Sequence, residues 1–484
     1  MNIIKKYQAL PVQVRASGWF LICAFLQKGI SVLTTPIFTR ILSTAEYGQY
    51  SVFNSWLGII TIIVTLNLHA GVYTTGLVKF SNERAKYSSS LQGLTLTLCL
   101  FWSGVYWCAH TFWNSVFGLT TVQMSAMLLL IWTSAVFLFW ATEQRVDYKY
   151  RKLVIVTLLV SFAKPVLGII LVLNADDKVT ARIIGLLIVE LIGYTWAFVD
   201  QMSKGRVYYS KSIWLYALKF NIPLIPHYLS TVVLNNSDRI MISSMVGSDE
   251  AGIYSLAYSL SLIMTLFNTA IQQTMIPWMY QKIHDQKGQE IKKVAYPAMM
   301  LIAGLNLLLI MLAPEVVRIF APSSYYDAIY VIPPVAMSVF FLYVYNVFVP
   351  FEFYFEKTKY IAVSSVAAAA LNLLLNYIFI GIFGYKAAGY TTLACYILLA
   401  AFHYMFMKKV CRDNLANPKV FELRVIVLIS IIFMAIGFVF MALYSIAIAR
   451  YLLAGVCVVV LIIKRKYIMQ LIRKMLALRK KNTD

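Results

Sequence analysis

Fourteen apolar runs of roughly 20 residues follow one another along this chain, from 17–41 to 450–463, and each is long enough to cross a bilayer as a helix. Hydrocarbon offers no water to the backbone, so every N–H and C=O in such a run has to be satisfied within its own segment. A water-soluble alternative fails on composition. Mean hydropathy is +0.74, 61% of the residues are hydrophobic and 13% are charged, which leaves too little polar surface for a soluble fold of 484 residues. The expected fold class is therefore an all-α polytopic membrane protein of about 14 transmembrane helices.

The basic residues give an orientation. Assigning alternate connections to one side collects 33 of the 42 Lys and Arg there, including Arg145, Lys149, Arg151 and Lys152 in one loop and eight more from Lys464 onward. By the positive-inside rule that side is the cytoplasm, with both termini on it. The net charge of +22 is thus a topology signal, spread over short loops with no domain to present it to a nucleic acid. The start, MNIIKKYQALPVQVR, is basic, but the apolar run behind it is too long for a signal peptide, so it is expected to be a retained first helix. After residue 463, apolar positions at helical spacing beside Arg473, Lys474, Arg479 and Lys480 predict an amphipathic helix lying on the anionic inner leaflet.

The chain also repeats a short statement. Leu42–Ser55 reads LSTAEYGQYSVFNS and Val246–Ser259 reads VGSDEAGIYSLAYS, so Glu46, Gly48, Tyr50, Ser51 and Ser55 return as Glu250, Gly252, Tyr254, Ser255 and Ser259, 204 positions later. That spacing is too long for a solenoid and fits two pseudo-symmetric halves of a transporter. The expected organisation is an N-lobe over 1–210 (helices 1–6), a C-lobe over 211–410 (helices 7–12), two further helices over 411–463 and the basic tail over 464–484.

Several function classes are disfavoured. The connections on the outer side are short, with no room for the acids, bases or metal of a polymerase or glycosyltransferase. The acidic pair Asp176 and Asp177 reads as a solvated turn. No phosphate-cradling G-x-x-x-x-G-K-[ST] occurs, and the five His show no H-x-x-x-H pairing, so neither an ATPase nor a metal site is expected. Of the six Cys, five fall in the apolar runs and Cys411 on the cytoplasmic side, so no disulfide framework is expected.

Polar groups at membrane depth are then the informative residues, because each costs several kcal/mol unless it meets a partner or a wet cavity. Lys28 lies deep in the first run, Arg40 at its outer end, Lys164 and Glu190 midway along the fifth and sixth, and Asp238 with Arg239 in the outer half of the seventh. Asn235, Asp238 and Arg239 stand at i, i+3 and i+4 and share a face. Pro36, Pro223 and Pro226 mark places where a helix is expected to bend. Bland readings stand beside these. Lys164 and Glu190, at similar depth on consecutive antiparallel helices, suit a structural salt bridge as well as a substrate contact; Asp238 suits neutralising Arg239; Arg40 suits snorkelling to the interface. Asn67 and His69 are weaker candidates. Lys28, Arg40, Lys164 and Arg239 outnumber Glu190 and Asp238, which points to an anionic cargo such as a diphosphate or an acidic sugar.

The opening helix, the stretch TRILSTAEYGQYSVF at Thr39–Phe53 and its echo at Ser248–Tyr258 resemble the polysaccharide-biosynthesis branch of the multidrug/oligosaccharidyl-lipid/polysaccharide exporter superfamily, and within it the Wzx-type O-antigen and capsule repeat-unit flippases. The resemblance extends over nearly the whole chain in length, topology and repeat. It implies a V-shaped pair of six-helix lobes that moves an undecaprenyl-diphosphate-linked oligosaccharide from the cytoplasmic to the outer leaflet of a bacterial inner membrane by alternating access. It also implies cavity cations, a role open to Lys28, Arg40, Lys164 and Arg239 with Asn235 beside them, and coupling to an H+ or Na+ gradient through Asp238, Glu190 or His69, with no other cofactor. Membrane lipids, a polysaccharide polymerase and a chain-length regulator are the implied partners, and no nucleic acid. A lipid II flippase, a drug exporter of the same superfamily and, further off, a polymerase stay open as alternatives.

Overall fold

The computed structural model describes residues 11–463, so the amphipathic tail expected over 464–484 lies outside the described residues. Helix follows helix: α1 Val12–Ile41, α2 Thr44–Thr65, α3 Gly71–Lys79, α4 Arg84–Cys108, α5 His110–Phe117, α6 Thr121–Val146, α7 Tyr150–Leu173, α8 Lys178–Gly205 and α9 Lys211–Asn221. Then come α10 Ile225–Met245, α11 Ser248–Ser261, α12 Thr265–His284, α13 Lys292–Met311, α14 Ala313–Phe320, α15 Ile332–Tyr354, α16 Thr358–Phe383, α17 Ala387–Asn414, α18 Leu423–Ala442 and α19 Ala447–Ile463. No strand occurs among the described residues.

All fourteen apolar runs fall on helical segments, and ten helical stretches among the described residues, one of them α11 and α12 taken together through a 3-10 turn, are long and apolar enough to cross a membrane. The other four runs show why a count from hydropathy differs. Run 47–78 breaks between α2 and α3, run 216–246 breaks between α9 and α10, run 89–112 sits on the Ser- and Thr-rich α4, and run 450–463 lies on the 17-residue α19.

The two breaks have different local causes. Along α2, Ser51, Ser55, Thr61 and Thr65 each turn their hydroxyl back onto the carbonyl four residues earlier, which competes with the backbone ladder. The helix then ends at Leu66 and Asn67, both in the left-handed region at φ 50° and 53°. Their carbonyls are not left bare: Asn221, the last residue of α9, donates its side-chain amide to Leu66 O at 2.8 Å and Asn67 O at 3.0 Å. In the second break Pro223 removes a backbone donor, and a 3-10 turn over Ile222–Leu224 joins α9 to α10.

The repeat is a pair of helix starts. Ser43 caps α2, accepting from Glu46 N while Glu46 accepts from Ser43 N at 2.7 Å, so Glu46 occupies the third helical position. Glu250 occupies the third position of α11, behind Gly247. A carboxylate in a first turn complements the positive end of the helix dipole.

The chain divides into two compact units with the boundary between Asn236 and Ser237, inside α10. In the first unit, α8 packs along α7 and α6. Two glycines let α7 and α8 come close, and a Cβ added to Gly185 would meet the backbone of Gly168 at 3.0 Å. Gly185→Leu is expected to wedge α7 from α8 and lower stability by about 1–3 kcal/mol; an unchanged thermal unfolding midpoint in detergent would count against this close contact. In the second unit α15 is the most enclosed helix, with α17 running along it. Arg450 of α19, 2% exposed, binds Glu315 of α14 at 2.5 Å and the Met311 carbonyl at 2.9 Å, pinning the last run to α13 and α14. In the loop before α18, Lys292 donates to Glu422 at 2.6 Å and holds that exposed carboxyl below its ordinary range.

Candidate functional site

In the first unit α1, α2, α7 and α8 line a half-open cavity of about 250 Å³. One stripe of α1 lines it, Gln27, Ser31, Thr34 and Phe38, at helical spacing. Across from them α7 contributes Ser161, Lys164 and Pro165, and Gln27 donates to the Ser161 hydroxyl at 3.1 Å. Pro165 has no N–H for the Ser161 carbonyl, so that acceptor is released beside the cavity.

Two cations meet this space. Lys164 Nζ lies 2.6 Å from Glu190 Oε1, and Glu190, 4% exposed, also accepts from Thr133 at 2.8 Å and Ser134 at 2.9 Å through its other oxygen. The pairing of Lys164 with Glu190, one of two readings open from the sequence, is thus present, with hydroxyls of α6 completing it. Those bonds matter because a buried ion pair recovers its desolvation cost only when its remaining valences are filled. The second cation is Arg182, at the start of α8. Its guanidinium carbon stands 3.7 Å from the Phe38 ring centre and 3.6 Å from that of Tyr50, so the charge is sandwiched between two aromatic faces. Lys164 and Arg182 are the two cationic side chains among the cavity's lining residues.

In the second unit Asp238, 1% exposed, is held by three donors: the Tyr254 hydroxyl at 2.5 Å, the Asn376 amide at 2.6 Å and the Thr392 hydroxyl at 2.9 Å. Asn372 extends the cluster, accepting from Ser237 and Asn376 at 3.2 Å each, and Thr391 donates to Asn376. Arg239 turns onto the Tyr258 ring at 4.2 Å, so adjacent residues of α10 engage Tyr254 and Tyr258, one turn apart on α11. Both Asp238 oxygens are thus hydrogen-bonded, Oδ2 by two hydroxyls and Oδ1 by one amide. Among the described residues no group of three His, Cys, Asp or Glu is arranged to hold a metal ion.

The remaining candidates are scattered. Lys28 is exposed on α1, one residue past the lining Gln27, with no hydrogen bond or ion pair to a described residue. Arg40 is exposed and donates to Pro36 O at 2.8 Å. Asn235 donates to Thr231 O within its own helix at 2.7 Å. His69 lies in the α2–α3 break, edge-on to Phe139, with Nδ1 enclosed and without a hydrogen-bond partner.

Sequence reasoning passed over three things. Arg182 looked like the edge of an apolar run. A buried network in the first unit links Tyr73 to Ser88 at 2.7 Å and Gln201 to Gln92 at 2.7 Å and Glu143 at 2.5 Å; its signal was the polar stretch Ser88–Ser90 and Gln92 inside an apolar run. In the second unit a fully enclosed hydrogen-bonded pair joins Glu352 and His403, and its signal was a lone carboxylate in the run VFVPFEFYF.

The chain matches the polysaccharide biosynthesis protein family over residues 14–282. Among characterised sequences it is 22% identical to Lsg locus putative protein 1 of Haemophilus influenzae over 381 residues, covering 73% of this chain and 87% of that one. Among solved structures the fold is similar to the lipid II flippase MurJ in an inward closed conformation, with a TM-score of 0.67 at 14% identity over 92% of this chain and 99% of that one. It is also similar to an inward-facing multidrug resistance MATE family transporter, with a TM-score of 0.63 at 12% identity over 80% of this chain and 96% of that one.

Proposed function

Because this chain belongs to the polysaccharide biosynthesis protein family, we propose that it is a flippase that carries an undecaprenyl-diphosphate-linked oligosaccharide repeat unit from the cytoplasmic to the outer leaflet of a bacterial inner membrane. The observation that carries this reading is the cation-rich cavity of the first unit. A diphosphate complements the two cationic side chains that line this cavity, Lys164 and Arg182, and the hydroxyls of Ser31, Thr34 and Ser161 suit phosphate or sugar oxygens. Exposed Lys28 and Arg40 extend the positive surface along α1, with Arg239 and Asn235 as further contacts. The lipid tail stays in the bilayer. Asp238 is our first choice for the group coupled to an H+ or Na+ gradient, ahead of Glu190, which is occupied by Lys164, and His69. Both termini are assigned to the cytoplasm, and a polysaccharide polymerase with its chain-length regulator is the expected consumer of the product. A lipid II flippase is the second reading, supported by the likeness to MurJ and by the same diphosphate chemistry.

Deleting the gene in its host tests the reading. Loss of surface polysaccharide with repeat units stranded on the cytoplasmic leaflet is expected; single units that reach the outer leaflet but stay unpolymerised would indicate a polymerase instead. Arrest of peptidoglycan synthesis would favour lipid II. Arg182→Ala and Lys28→Ala are each expected to insert normally and fail to restore polymer, and full restoration by both would remove the anion-binding role of these cations.

A further inference from the structure

The second unit encloses a titratable pair that the proposed transport path does not use. Glu352 on α15 and His403 on α17 both have no exposed surface, and Glu352 Oε1 lies 2.7 Å from His403 Nδ1. Their other polar atoms, Glu352 Oε2 and His403 Nε2, are buried with no hydrogen-bond partner. A purely structural pair in a membrane interior is expected to fill those valences, as Glu190 does.

The surroundings say what the pair is suited to hold. The Tyr345 ring packs against the imidazole, its centre 4.7 Å away, and Phe406 lies beyond. Titratable groups on the elements packed around it include Tyr343 and Tyr345 on α15 itself, Tyr396 of α17, Tyr360 of α16 with Lys409 of α17 over its ring, and His284 of α12 on the Tyr354 hydroxyl. Further titratable groups on these elements and on α18 include Tyr404 of α17, Tyr296 of α13 bonded to the backbone of Glu422, and Arg424 of α18. Among the described residues none of these hydrogen-bonds the carboxylate or the imidazole. Glu352 also stands two residues from the C-terminus of α15, where the helix dipole opposes a negative charge.

We propose that Glu352 and His403 form a proton-holding site in the core of the second unit, loaded and emptied once per transport cycle. With His403 Nδ1–H donating to Glu352, the pair carries one net negative charge, and an incoming proton from water bonds to the free Nε2 lone pair. The loaded pair is an imidazolium beside a carboxylate and is neutral overall; the same proton leaves from Nε2 to water when the site empties. A dry interior penalises the empty, charged form, so emptying requires the site to open to water. A line of polar side chains leads away from it: His403, Tyr396 and Thr392 share a stripe of α17, and Thr392 donates to Asp238. Tyr396 is within electrostatic reach of Tyr345, Tyr258 and Asp238.

This inference rests on the transport reading for its coupling role, and the test separates the two. Purified protein in lipid nanodiscs is titrated from acid to alkaline pH while infrared difference spectra follow carboxyl and imidazole bands; reconstituted vesicles are assayed for translocation of a lipid-linked oligosaccharide with and without a pH gradient. We expect a pH-dependent imidazole band that disappears in H403Q, shifts in E352Q and persists in D238N, and we expect both pair variants to lose the stimulation by the gradient. H403Q keeps the carboxyl in place and serves where E352Q folds poorly. An unchanged titration or an unchanged response to the gradient in either variant overturns the proposal. Wild-type vesicles that move no oligosaccharide would defeat the flippase reading, while the infrared titration would still judge the proton site.

Discussion

Glu190→Ala is expected to destabilise the first unit by about 3–5 kcal/mol, the range for breaking an enclosed ion pair by removing one partner. The change leaves the Lys164 ammonium without its counter-charge and the Thr133 and Ser134 hydroxyls without their acceptor. Three helices lose their common tie. The double variant Lys164→Met with Glu190→Gln removes the ammonium as well, and is expected to recover most of that stability because no uncompensated charge remains. Thermal unfolding in detergent measures both. The double variant also separates structure from transport: regained stability without surface polymer assigns Lys164 to the cargo, whereas recovery of both marks the bridge as scaffold alone.

The second large effect is expected at Asp238. Asp238→Asn preserves shape and much of the hydrogen bonding while removing the charge, so the protein is expected to insert and unfold near the wild-type midpoint yet restore no polysaccharide. Asp238→Ala is harsher, because the Tyr254 hydroxyl, the Asn376 amide and the Thr392 hydroxyl all lose their acceptor, at about 1–3 kcal/mol for each group left unsatisfied. Transport at wild-type rate in Asp238→Asn, measured by sidedness of lipid-linked oligosaccharide, would exclude any coupling role for this carboxylate.

The apolar runs were legible because a bilayer demands length and hydrophobicity and little else. Lys164 and Glu190 were legible as partners for a related reason: two residues at similar depth on consecutive antiparallel helices end up side by side. The partners of Asp238 were not, since Asn376 and Thr392 lie 138 and 154 residues away, and helices that are apolar nearly all round give no periodicity from which to read an inward face. The break at Leu66–Asn67 carries no proline; it depends on hydroxyls upstream and on Asn221 far along the chain, and only the second of these is beyond local reading. Arg182 was hidden by position. Standing where an apolar run begins, it resembles a residue reaching for water, and only the rings of Phe38 and Tyr50 reveal that it is enclosed.

The repeated tyrosines carry a consequence for how the two halves place their charges. Tyr50 presents its ring face to a guanidinium, and its counterpart Tyr254 presents its hydroxyl to a carboxylate. A phenol accommodates either sign, through the electron-rich face for a cation and the O–H for an anion. The charge opposite this position therefore differs in sign between the two halves while the tyrosine is the same. The two facing charges come from non-equivalent places, Arg182 of α8 well after Tyr50 and Asp238 of α10 just before Tyr254, so the repeated phenol is a neutral fixture against which each half sets a charge from a different helix.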